Sequence, residues 1–300
     1  MMWLVFFAVV TTLMIFDLGM FGTKNREMNF ASSAKLSVFY IVSACIFGMW
    51  IAYSIGTQEA GEYFNGYLIE KALSLDNIFV ISIIFKFFDI KSERQHRVLF
   101  WGILSVIVLR GAMIYSGAVL IEKFDWILYV FGTLLILTGV KILYTINSEF
   151  RPENNIVIKL AKKYLNISND PSQKDRFWFR QNNKLYFTDL FLALLTIEAM
   201  DLLFALDSIP AIFAITDNIY IVYTSNIFAI LGLRALYFCL SDLVERFKYL
   251  KYSLAIVLMF IGSKIFLVHF FGKIPTLLSL GITFAILLGG VLASLRAPKI

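Results

Sequence analysis

Two stretches decide the reading of this chain: LIEKALSLDNIFV at residues 68–80 and AMDLLFALDSIPA at residues 199–211. Each lies inside an apolar run, 66–87 and 188–213, long enough to cross a hydrocarbon core about 30 Å thick as a helix. Each also carries acids that such a core excludes. Set in register, Glu70 faces Asp201 and Asp76 faces Asp207, both at an offset of 131 residues. Outward from this pair the resemblance continues. VLRGAMIY (108–115) matches LGLRALYF (231–238), pairing Arg110 with Arg234. IEKF (121–124) matches VERF (244–247), and TGVKI (138–142) matches IGSKI (261–265), pairing Lys141 with Lys264. The offsets fall to 124 and 123, as short loop deletions would produce. The repeated unit is three spans long, so the second copy enters the membrane in the opposite sense. That predicts an inverted-topology repeat, over about 66–146 and 188–271, with a site near the bilayer midplane between the copies.

Composition agrees with a membrane solvent. Hydrophobic residues make up 59% of the 300, against ~45–50% in soluble domains, and only 16% are charged. The expected fold is an all-α polytopic membrane protein, one transmembrane domain over 1–300 with about nine spans. These fall near 2–20, 36–55, 66–87, 98–121, 126–146, 188–213, 220–240, 252–271 and 275–294. The first run lacks a basic n-region and an A-x-A-like cleavage site, so it is expected to stay as a span. The long connection 147–187 (RPENN, NISNDPSQKDR) is polar and expected to hold a short amphipathic helix. No second domain fits there.

The net charge of +6 raises nucleic acid as a partner, but its distribution answers otherwise. Loops 21–35, 88–97, 147–187 and 241–251, with the C-terminal tail, hold nearly all extramembrane Lys and Arg, while the opposite loops hold only Lys123 and Lys273. The positive-inside rule then puts the C-terminus and the 147–187 loop in the cytoplasm and the N-terminus outside. Cys45 and Cys239 lie in apolar runs with no metal-ligand or disulfide spacing. His96 and His269 fall near membrane surfaces and read as interfacial residues, not ligands.

The chemistry is therefore carboxylate chemistry. Glu70, Asp76 and Asn77 lie in the third span, and Glu198, Asp201, Asp207 and Ser208 in the sixth. A charge at the centre of a lipid-exposed helix costs at least ~2.5–3.5 kcal/mol, so these acids must face one another, a cation or water. Glu70 and Asn77 share a helix face, about 20° apart, whereas Asp76 lies about 120° from Glu70. Local unwinding would bring both to one ion. Pro210 offers a device for it, since it lacks an N–H and clashes with the carbonyl of Leu206. Carboxylate, amide, hydroxyl and carbonyl oxygens suit hard divalent cations such as Mg²⁺, Ca²⁺ or Mn²⁺. Arg110, Lys141, Arg234 and Lys264 are expected to pair with acids, pinning helices or balancing the site. Asp17 reads as an interface marker or a further intramembrane acid. Crowded carboxylates hold protons until a cation displaces them, which makes cation/proton exchange the coupling to expect. No nucleophile–base pair is visible, so no enzyme and no cofactor is expected.

GEYFNGYLIEKALSLDNIFV (61–80), QHRVLFWGIL (95–104), FGTLLILTGVKIL (131–143), IEAMDLLFALDSIPAIFAIT (197–216) and YTSNIFAILGLRALYF (223–238) resemble the TerC family, Alx-type proteins included. The similarity runs from about residue 1 to 296. It implies an integral protein of the bacterial inner membrane, in a wider group of inverted-repeat exporters tied to manganese efflux, metal supply and tellurium resistance. The acidic positions thought to hold the ion map onto Glu70, Asp76, Asn77, Glu198, Asp201 and Asp207. Ala72 departs from the Ser of many members and affects only a peripheral contact. Two accounts follow: a Mn²⁺ exporter, or a non-transporting scaffold that gathers partners of a metal- or tellurium-stress complex.

Overall fold

The computed structural model describes residues 2–21, 30–124, 126–145, 156–168, 175–181, 184–240, 249–271 and 275–296. VERF of the repeat, and the side chains of Asp76, Asp207 and His269, lie outside the described residues. The element order is α1 (Met2–Phe21), α2 (Phe30–Ser54), α3 (Thr57–Phe87), α4 (Ser92–Lys123), α5 (Ile127–Thr145), α6 (Ile156–Tyr164), β1 (Trp178–Gln181), β2 (Lys184–Phe187), α7 (Asp189–Phe213), α8 (Ile219–Leu231), α9 (Leu233–Leu240), α10 (Leu250–Phe271) and α11 (Thr276–Arg296). Every span read from the sequence coincides with one of these helices, the seventh being α8 and α9 together. Several helices start earlier than read, α3 by nine residues, because hydropathy marks the apolar core of a helix and misses its polar first turns.

Five segments among the described residues are long and apolar enough to cross a membrane: Ala31–Ser54, Ser92–Lys123, Ile127–Tyr144, Ile219–Cys239 and Leu277–Arg296. Their outer faces are greasy. Ile46, Met49, Val108, Leu137 and Leu277 are all exposed, a surface that water would not tolerate and lipid requires. The chain is an all-α, multi-pass membrane protein.

The inside is arranged in reciprocal pairs. Helix α3 packs on α8, and α7 packs on α4; α3 also packs on α7, and α5 on α10. The α5–α10 crossing shows how close the reciprocity is. A Cβ built on Gly139 would meet the carbonyl oxygen of Ala255 at 2.7 Å and the Met259 side chain at 2.6 Å. One built on Gly262 would meet the carbonyl oxygen of Gly132 at 2.6 Å and the Ile136 side chain at 2.9 Å. Gly139 and Gly262, Gly132 and Ala255, and Ile136 and Met259 are each 123 residues apart, the offset that relates TGVKI to IGSKI. Later residues of α5 thus meet earlier residues of α10, so the two helices run antiparallel. Small residues at such crossings let backbones approach where lipid offers no hydrophobic push.

One expectation needs correction. Helix α7 does not unwind at Pro210; it runs unbroken to Phe213, and the Pro210 carbonyl accepts from the Ala214 N–H at 2.9 Å. A proline in the last turn forfeits one hydrogen bond near an end that was coming anyway. The break lies in the seventh span, at Gly232, and Lys71 Nζ donates to the Ala229 carbonyl one turn before it, at 3.0 Å. In the 147–187 connection the short helix is present as α6. A β1–β2 hairpin follows it, pairing Trp178 with Phe187 and Gln181 with Lys184.

Gly262→Val pushes a branched side chain into the carbonyl of Gly132. It is expected to destabilise the detergent-solubilised protein by about 1–3 kcal/mol in thermal unfolding, whereas Gly281→Val, with nothing near its Cα, leaves the midpoint nearly unchanged.

Candidate functional site

Arg110 is the second largest surprise of polarity after the acids themselves: a guanidinium on α4 that is 1% exposed. Its Nε and Nη2 donate to Asp201 Oδ2 (3.0 Å) and Oδ1 (2.9 Å), the bidentate fork that suits a planar guanidinium. Nη1 pairs with Glu70 on α3 and reaches Asn226 Oδ1 on α8 (3.2 Å) and Ser208 Oγ on α7 (3.4 Å). Asn226 Nδ2 returns a bond to Glu70 Oε2 (3.0 Å), and Asn77 Nδ2 donates to Asp201 Oδ1 (3.2 Å). Four helices converge on one cation.

The reciprocal pattern reaches this centre. Ser208 Oγ on α7 and Glu70 on α3 both accept from Arg110 Nη1, and Asn77 on α3 donates to Asp201 on α7. Glu70 and Asp201, and Asn77 and Ser208, are equivalents at offset 131, and a Cβ on Gly66 of α3 would lie 3.2 Å from the Ile212 side chain of α7. Helices α3 and α7 therefore also run antiparallel through the centre.

The two arginines do not share the pattern. Arg110 holds both site carboxylates. Its equivalent Arg234 turns away to Asp17 on α1, pairing with the carboxylate and donating to the Asp17 carbonyl at 3.1 Å, with Phe100 beneath its guanidinium. Asp17 is buried, a partner of Arg234 inside the fold. Of the remaining bases, Lys264 is buried within electrostatic reach of Glu62, while Lys141 is exposed on α5. Neither joins the centre.

Glu198 stands one turn before Asp201. Both of its oxygens are buried with no hydrogen-bond partner among the described residues, and the same is true of Asn77 Oδ1. Gly102 on α4 makes the room, since a Cβ there would lie 3.2 Å from Glu198 Oε1. Glu198, Asn77 and Asp201 line a cavity whose other walls are largely apolar, including Val80, Ile84, Leu99, Ile103 and Val106. The cavity lies on the side of Arg110 where α4 and α7 begin and α3 ends. The opposite side is filled by Tyr63, Tyr67, Ile114, Phe213, Tyr220 and Tyr223, all buried in one apolar cluster.

Of the six residues read as ion ligands, the structure brings Glu70, Asn77 and Asp201 into one network and sets Glu198 beside it. Asp76 and Asp207 lie on α3 and α7, their side chains outside the described residues. Among the described residues no three His, Cys, Asp or Glu side chains gather as a metal-holding group; a guanidinium stands between the two central carboxylates. Asn226 was missed by sequence reading. Its signal was a lone amide within IYIVYTSNIFAIL, a helix buried from Tyr220 to Leu231. His96 stacks on Phe238 with ring centroids 3.9 Å apart, and Cys45 and Cys239 are free thiols.

Comparison with known proteins places this geometry. The family model described as "Integral membrane protein TerC family" matches residues 55–299. A Rickettsia felis protein named only as an uncharacterized membrane protein is 54% identical, over 98% of this chain and 97% of its own length. A Myxococcus xanthus protein of like name is 43% identical, over 98% and 92%. Alx of Escherichia coli K12, whose name proposes a membrane-bound redox modulator, is 40% identical over 96% and 92%. No solved structure matches the chain.

Arg110→Met leaves two buried carboxylates facing each other and is expected to cost about 3–5 kcal/mol of stability. The triple variant Arg110→Met, Glu70→Gln, Asp201→Asn recovers most of that loss. Thermal unfolding of the three proteins side by side checks both statements.

Proposed function

The chain belongs to the TerC family of integral membrane proteins, and from that premise we propose that it is a divalent-cation transporter of a bacterial inner membrane, with Mn²⁺ as its exported cargo. The observation that carries this reading is Arg110 held between Glu70 and Asp201. Two equivalent acids, one from each half of the chain, share a single cation that is part of the protein. A cargo ion entering the same place would replace the guanidinium with a mobile charge and take up the same oxygens.

Reciprocal contacts at α3–α7 and α5–α10 support reading residues 66–146 and 188–271 as inverted repeats, within nine spans. A site between such repeats opens to one face at a time as the repeats exchange their packing. The cavity beside Glu198 faces the ends at which α4 and α7 begin. With the N-terminus outside and the basic loops within, that is the cytoplasmic side, and the aromatic cluster of Tyr63, Tyr67 and Tyr223 closes the outer side. This is the arrangement in which an exporter loads. Glu198 and the free oxygen of Asn77 meet the ion first, and Asp201 is reached when its fork with Arg110 opens. Asp76 and Asp207 complete the proposed ligand set, with Pro210 and Ser208 shaping the end of α7 beside them. All-oxygen ligands favour Mn²⁺, Mg²⁺ or Ca²⁺ over softer metals. A proton carried by Glu198, buried without a hydrogen-bond partner among the described residues, would leave as the ion enters, giving cation/proton exchange.

The test is flux. Full-length protein in liposomes with an internal quenchable dye is expected to admit Mn²⁺, faster when the vesicle interior is the more acidic side and protons leaving drive the ion in. Glu70→Gln, Asp201→Asn, Asp76→Asn and Asp207→Asn are each expected to cut the initial rate at least tenfold. A folded wild type that moves none of Mn²⁺, Mg²⁺ or Ca²⁺ would overturn the exporter reading in favour of a non-transporting scaffold.

A further inference from the structure

The connection between the two halves carries a feature that the transport site does not use. Helix α6, IVIKLAKKY, buries Ile158 and Ala161 and packs on α7, the helix that enters the membrane directly after the connection. Its opposite arc stays exposed and is mixed in kind: Lys159, Lys162 and Lys163, with Leu160 (48% exposed) and Tyr164 (73%) at its edge. Leu160 and Tyr164 lie one turn apart on the same side. A soluble surface helix would have placed polar residues there.

The hairpin repeats the combination. On strands of period two, Trp178 and Arg180 share a face with Leu185 and Phe187 across the ladder. Trp178 and Leu185 are exposed, as is Arg180. The other face is satisfied internally, with Phe179 stacked on Tyr186 at 5.7 Å. The assembly is tied to the starts of α4 and α7. Asn166 and Ser168, just after α6, exchange backbone bonds with Phe187, two residues before α7 starts. Arg94 of α4 pairs with Asp175 at 2.6 Å, and Arg97 lies over the Phe177 ring.

Exposed aromatic and aliphatic side chains rimmed by lysines, fixed at the level where spans begin, suit one neighbour. Apolar edges bury themselves at the acyl boundary, and lysine stems reach up so that their ammonium groups meet phosphates. We infer that α6 and the β1–β2 hairpin form a docking surface for anionic phospholipid headgroups of the membrane the chain spans. Lys159, Lys162 and Lys163 supply the charge, and Leu160, Tyr164 and Trp178 the apolar anchors. The surface lies beside the start of both α4 and α7, the two helices that wall the cavity, but its recognition of lipid does not depend on what that cavity carries.

The experiment reads immersion directly. In a Cys45→Ser, Cys239→Ser background, Leu160→Cys carries a nitroxide, and Tyr164→Cys serves as a second labelled site. Full-length protein is placed in vesicles of phosphatidylcholine, with or without phosphatidylglycerol, and collision rates with oxygen and with an aqueous nickel chelate are compared. With phosphatidylglycerol present, both labels are expected to be shielded from nickel and open to oxygen. Changing the three lysines to Gln is expected to shift the docked population by roughly a hundredfold, and salt at about 1 M to do likewise by screening. Labels equally open to nickel in every vesicle would overturn the docking surface. Labels equally shielded in phosphatidylcholine alone and in the lysine variant would overturn the recognition of anionic headgroups.

Discussion

A guanidinium that cannot lose its proton, sealed among four helices, constrains everything around it. Arg110 needs acceptors on all sides of its planar fork, and α3, α7 and α8 must each arrive at one place to supply them: Glu70, Asp201 with Ser208, and Asn226. Burying one cation with two carboxylates is no route to great stability, since desolvation offsets most of the Coulombic gain. What it secures is register. Slide α3 or α7 by a residue and an acid is left in lipid with nothing to meet. The glycine crossing of α5 and α10 holds the flanks in a matching register, so the two halves meet along a line of mutually dependent contacts.

Symmetry makes the centre, and departure from symmetry gives it a direction. The acids come as an equivalent pair, yet only one of two equivalent arginines lies between them. Arg234 is drawn off by Asp17 of α1. Its withdrawal coincides with the break at Gly232 and with the cavity that Arg234 helps to line. On the other side of Arg110 the corresponding space is filled with tyrosine and phenylalanine. One side of Arg110 is packed solid and the other is hollow.

Much of this was legible before any coordinates. Charges inside apolar runs are rare enough that their order alone set Glu70 and Asp201 in register and marked Arg110 as a base that must meet acids. Other features escaped for physical reasons. Asn226 has no charge and no repeated partner, so nothing in an apolar string marked it as the group that bonds both Glu70 and Arg110. Asp17 lies close enough to a helix end that hydropathy could not tell a buried acid from an interfacial one. Pro210 looked like a helix breaker, but its effect depends on its distance from the helix end, which only the fold reveals. The WFRQ and KLYF strands were overshadowed by the polar composition around them.

The claim at the centre is that Arg110 occupies the place a cargo ion takes. Mn²⁺ binding to the detergent-solubilised protein, followed by the loss of its free electron-paramagnetic-resonance signal, tests that claim with no reference to flux. If the guanidinium competes with the ion for Glu70 and Asp201, Arg110→Gln binds Mn²⁺ more tightly than wild type, by tenfold or more, and bound Mn²⁺ raises the variant's unfolding temperature. Binding that is unchanged or weakened in a folded Arg110→Gln protein would contradict the account, because the arginine would then be support for the acids and not a stand-in for their ion.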